Sequence, residues 1–131
     1  MKQELRDYFD RHLDAVMEKM PSRVHELLAE VPMYIEDHPD ESLLRKMGYR
    51  RRDHLCGLYT GIPLTQKSVM QSGVLSDVIH LYREGIFRMA TEKGGRIDER
   101  ELRKQIRITM LHELGHYHGL DEDELHELGY G

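Results

Sequence analysis

A chain of 131 residues with 39% hydrophobic and 33% charged side chains has the size and balance of one soluble domain, residues 1–131, whose core needs no disulfide staple. Its formal net charge of −5 and 7% aromatic content argue against polyanionic partners, so no nucleic acid is expected; nor is a membrane, because no run approaches the roughly 20 apolar residues of a bilayer span. Cys56 is the only cysteine, which excludes an intramolecular disulfide, and Met1 to Asp14 lacks the apolar stretch of a targeting signal, so a cytoplasmic protein is expected.

In chain order, Leu5, Phe9, Leu13, Val16, Met17 and Met20 recur at helical spacing and predict an amphipathic helix that Pro21 interrupts. A second helix follows, with Val24, Leu27 and Leu28 facing inward. Val31 to Asp37 reads as a short strand, and Ser42 to Met47 as one or two helical turns. The basic run Arg45, Lys46, Arg50, Arg51, Arg52 reads as a solvated surface loop. Leu55 to Tyr59 is a second strand closed by Thr60, Gly61 and Pro63, with Cys56 inside it as a small packed side chain rather than a nucleophile. Val78 to Tyr82 is a third strand. Ile86, Phe87, Met89 and Ala90 suggest a short helix ended by Gly94 and Gly95. Helices first, then strands, then helices indicate an α+β domain.

The last long segment carries the chemistry. Asp98 caps a predicted helix that runs through Leu102, Ile106, Met110 and Leu114 to Gly119, a residue suited to the left-handed turn that ends helices. Inside it lies His112-Glu113-Leu114-Gly115-His116. Residues four apart on a helix have Cβ atoms roughly 5–6 Å apart, so both imidazoles can reach one metal ion, expected to be Zn2+. Glu113 flanks the pair a quarter turn away. There it can take a proton from a water acidified by the metal and pass it on as a general acid. It also falls near the apolar arc of the helix, a costly place for a carboxylate unless a neighbour compensates it.

Two histidines leave a catalytic zinc site one protein ligand short. Gly119 can turn the chain so that Asp121, Glu122 and Asp123 come back toward the metal, and the spacing favours Glu122 as the third ligand. Asp121 and Asp123 have the same chemistry, or all three simply favour the N-terminus of a last short helix, Asp123 to Leu128. His118 and His80 are expected to be a surface residue and a strand residue first. Tyr117 and Tyr130 can donate hydrogen bonds to an oxyanion, although packing with a wet tip is the commoner role.

The stretch from His112 to Glu122, together with Gly57-Leu58-Tyr59-Thr60-Gly61-Ile62-Pro63-Leu64, Ile79-His80-Leu81-Tyr82-Arg83 and Val31 to Asp37, resembles the small bacterial zincin-like metallopeptidases, also called minimal metalloproteases. The likeness runs from about Met20 onward. It implies a compact zincin-like domain with a small mixed sheet over a long C-terminal active-site helix, a histidine pair as zinc ligands and the intervening glutamate as base. The position of Glu122 is usually an aspartate in that family. No methionine follows Glu122, so the resemblance to metzincins stops at the motif.

The sequence therefore points to a zinc-dependent peptidase acting on a peptide or protein, through Glu113 as base and His112, His116 and Glu122 as ligands. An extended peptide is expected to add along an exposed strand edge, with Val78 to Tyr82 the candidate. Two other readings are a metal-stabilised module that cleaves nothing and a metal-dependent RNA hydrolase, which the missing third histidine and the acidic balance disfavour.

Overall fold

The computed structural model describes residues 1–61, 77–119, Asp121 and Asp123. These form α1 (Gln3–Glu18), α2 (Ser22–Leu28), β1 (Met33–Glu36), α3 (Glu41–Met47), a 3-10 turn (Arg52–His54), β2 (Gly57–Thr60), β3 (Val78–Tyr82), α4 (Arg83–Ala90) and α5 (Glu99–Tyr117). The architecture is α+β, as the order of patterns predicted. Among the described residues no helix is long and apolar enough to cross a membrane.

The three described strands lie in the order β1-β3-β2, with β1 parallel and β2 antiparallel to β3. The edge assignment made from sequence is therefore wrong: Val78–Tyr82 is the central strand and is bonded on both sides. Its burial fits that place, since Ile79 and Leu81 are fully covered and Tyr82 nearly so. Among the described residues the edges are β1 and β2. The remaining strand boundaries shift slightly, with β2 beginning at Gly57 rather than Leu55.

Helix α5 runs 19 residues, about 28 Å at 1.5 Å per residue, and touches α1, α4, β2 and β3. Asp98 caps it by accepting a hydrogen bond from the Glu101 amide at 3.1 Å. Gly119 ends it with φ +84°, its amide donating to the His116 carbonyl at 2.9 Å, so both predicted signals operate. Leu102, Ile106 and Met110 on α5 join Phe9, Leu13 and Val16 of α1, with Ile79, Leu81 and Ile86, in one core.

Ion pairs fix α1 to the sheet end. Arg6 bonds both oxygens of Asp37 just beyond β1, and Arg83 at the start of α4 bonds Asp37 and Asp10. The expected stop for α4 is also corrected. The helix ends at Ala90, Thr91 then bridges Ile97, and Gly94 and Gly95 make the turn between them. The basic run is exposed as expected, with Arg51 paired to Asp53 and Arg52 to Glu84.

Candidate metal centre

Helix α5 carries His112 and His116 one turn apart on its surface and turns Glu113 inward, where it is 8% exposed. The imidazole rings of the two histidines sit 4.7 Å apart, edge to face at 81°. One ligand atom from each of His112, Glu113 and His116 falls within 4.8 Å of the others. Two imidazole nitrogens and a carboxylate oxygen that close together make a donor set suited to zinc, so the residues fit the ion that the motif implies.

A buried carboxylate is costly unless it accepts hydrogen bonds. Glu113 meets that demand through the backbone. Its Oε1 accepts the Tyr59 amide of β2 at 2.9 Å. The register explains why that amide is on offer. The Tyr82 amide donates to the Cys56 carbonyl, so Cys56 and every second residue after it turn their polar groups toward β3. Gly57 and Tyr59, between them, point theirs away from β3.

Close approach of β2 to α5 depends on Gly57. A Cβ there would stand 2.6 Å from Thr109 Cγ2, 3.0 Å from the His80 carbonyl oxygen and 3.3 Å from Glu113 Cγ. Without a side chain, the strand can lie against the helix where Glu113 sits. Thr109 turns its hydroxyl into the helix, donating to the Gln105 carbonyl at 2.7 Å.

Tyr59 is held at its other end as well. Its hydroxyl donates to Asp77 Oδ1 at 2.6 Å, and its ring meets Tyr117 edge to face at 5.9 Å. Burial, and then the Asp77 bond, push the phenol well above its ordinary pKa. Tyr59, Gly57 and Asp77 are the residues of this site that sequence reasoning missed. A lone glycine inside a strand pattern was the available signal, since it marks a close approach of backbone.

The other expected residues fall as follows. Glu122, Tyr130 and the helix expected over 123–128, Asp123 excepted, lie outside the described residues, as do Ile62, Pro63 and Leu64. Asp121 and Asp123 are exposed. Tyr117 is 5% exposed and packs between Tyr59 and His118. His118 is partly exposed, while its Nε2 is covered and has no hydrogen-bond partner among the described residues. His80 is a strand residue on the sheet face away from α5, since its neighbour Leu81 is paired with Gly57. It contacts Glu36 through Nδ1 and stacks on Tyr82. Burial raises the Cys56 thiol pKa, which disfavours the nucleophilic thiolate.

A paired-histidine helix under a small mixed sheet, with a buried carboxylate between the histidines, is an arrangement that could hold a metal ion. Residues 28–131 match the family described as zincin-like metallopeptidase, and the chain belongs to that family. A search of curated proteins gives no match. The family match leaves out α1 and nearly all of α2.

Proposed function

We propose that the chain is a zinc-dependent peptidase in which Glu113 is the general base and His112 and His116 hold the metal. The observation that carries this reading is the position of Glu113: buried between the two histidines, within ligand distance of both, and oriented through Oε1 by the backbone amide of Tyr59. An amide leaves a carboxylate its charge and holds it in one direction.

Glu122 is proposed as the third ligand, on spacing and on the family resemblance, with Asp121 and Asp123 as the residues to test beside it. Bound zinc would supply a Lewis acid that acidifies water and polarises the scissile carbonyl. Glu113 takes the proton from the attacking water and returns it to the leaving amine. Strand β3 is bonded on both sides, so an extended peptide does not add along it, and among the described strands the edges are β1 and β2. The reading includes a reducing, cytoplasmic setting for the reaction.

The test uses purified chain loaded with one zinc and fluorescein-labelled casein as probe. Glu113→Gln is expected to retain zinc and lose about 10²–10⁴-fold in kcat. His116→Ala is expected to lose the metal itself. Cleavage that persists in Glu113→Gln removes this residue from the role of base. Absence of zinc from both wild type and His116→Ala, with no zinc-induced rise in Tm, transfers the assignment to a module that binds partners without cleaving them.

A further inference from the structure

Three residues hold Tyr59 of β2: Glu113 and Tyr117 of α5, and Asp77 just before β3. The Tyr59 amide bonds Glu113, its hydroxyl bonds Asp77, and its ring abuts Tyr117, four residues after Glu113 on α5. Gly61 completes the arrangement, with φ +138°. A Cβ there would lie 2.2 Å from Asp77 Oδ1 and 3.0 Å from the Tyr59 hydroxyl, so only glycine lets these two groups meet. A tyrosine kept merely to fill space would need neither the bond to Asp77 nor this glycine.

We infer that Tyr59 is a positioning residue for Glu113: Asp77 and Tyr117 anchor its side chain, and the anchored backbone amide fixes the direction of the Glu113 carboxylate. The inference rests on the reading of Glu113 as base, but the geometry it invokes can be observed without catalysis. A one-ångström displacement of a reacting group is enough to slow a reaction by up to about a hundredfold, so an anchor of this kind has kinetic weight.

Because Tyr59 lies in β2 and Asp77 immediately precedes β3, the anchor also ties the β2–β3 register to the metal helix. The hydroxyl bond determines whether the Tyr59 amide stays beside α5. The phenol remains a donor throughout the neutral range, because burial and the Asp77 carboxylate both oppose its ionisation.

The experiment compares wild type, Tyr59→Phe, Asp77→Ala, the double variant of these two, Asp77→Asn and Glu113→Ala as nitrogen-15-labelled protein. The Tyr59 amide proton, bonded to a carboxylate, is expected far downfield in wild type and displaced upfield in Glu113→Ala. Tyr59→Phe and Asp77→Ala are each expected to displace it part of the way and to speed its hydrogen exchange about tenfold, the double variant doing no more than either. Asp77→Asn keeps an acceptor oxygen and is expected to restore the wild-type signal. Unchanged remaining amide signals establish that each variant is folded.

With labelled casein, Tyr59→Phe and Asp77→Ala are expected to lower kcat about tenfold to a hundredfold at unchanged KM and zinc content. A Tyr59 amide with wild-type shift and exchange in both variants overturns the inference. Failure of Glu113→Gln to lose cleavage, with the amide responses as expected, overturns the base assignment and leaves the anchor standing.

Discussion

At the scale of single residues, the site is built from a motif and from an absence. His112, Glu113 and His116 could be read from the sequence because a helix brings residues four apart together whatever else the chain does. The partner of Glu113 could not, because Tyr59 lies 54 residues away and its amide is available only through the pairing phase of β2 with β3. Gly57 bears the packing consequence. Gly57→Ala pushes a methyl into Thr109 and toward Glu113. It should lower stability by about 1–3 kcal/mol, read as a shift in urea midpoint at constant slope. A variant as stable as wild type would show that β2 and α5 can separate without cost.

At the scale of elements, the helices α1 and α5 were legible because their apolar residues keep one period over several turns, and α5 also carries its cap and its stop. The strands were legible as segments but not as a sheet. Nothing in Val78 to Tyr82 distinguishes a central strand from an edge strand, and β1 reaches it only by a crossover through α3 and β2. The contact of α1 with α5 is likewise a tertiary fact, and it includes a titratable group. His12 is 6% exposed, and its Nδ1 accepts from Arg103 Nε at 2.9 Å. Burial first, then the Arg103 charge, lower its pKa from the ordinary value. The unfolded chain therefore binds this proton more readily than the folded one. The stabilisation is complete above the unfolded pKa of about 6.5 and is lost as pH falls through the lower folded value. Urea unfolding across pH 7 to 4 should show wild type losing stability in that window. His12→Gln, which cannot take up a proton but keeps an acceptor for Arg103, should show a flatter profile. Parallel profiles would mean that another group sets the acid limit.

At the scale of the whole molecule, α5 lies in the core and also carries the proposed metal ligands, so on that reading metal binding and folding share one element. Zinc bound only by the folded chain should add about 2.7 kcal/mol at a hundredfold excess over Kd. A chelator should remove that increment and lower Tm in wild type, while His116→Ala should have the same Tm with and without it. Equal response of the two proteins would place the bound metal elsewhere.

The docking of α1 on α5 has a further consequence during synthesis. Arg103 and His12, which meet across that contact, are 91 residues apart in the chain. At ribosomal rates of about 5–20 residues per second, α1 emerges on the order of 5–20 s before the helix that covers it. Throughout that interval Phe9, Leu13 and Val16, buried in the finished core, lack the part of that core that Leu102, Ile106 and Met110 supply. The nascent chain thus presents an amphipathic helix to the cell first and the groove for it last. Its yield in vivo should depend on what shields that helix while translation continues.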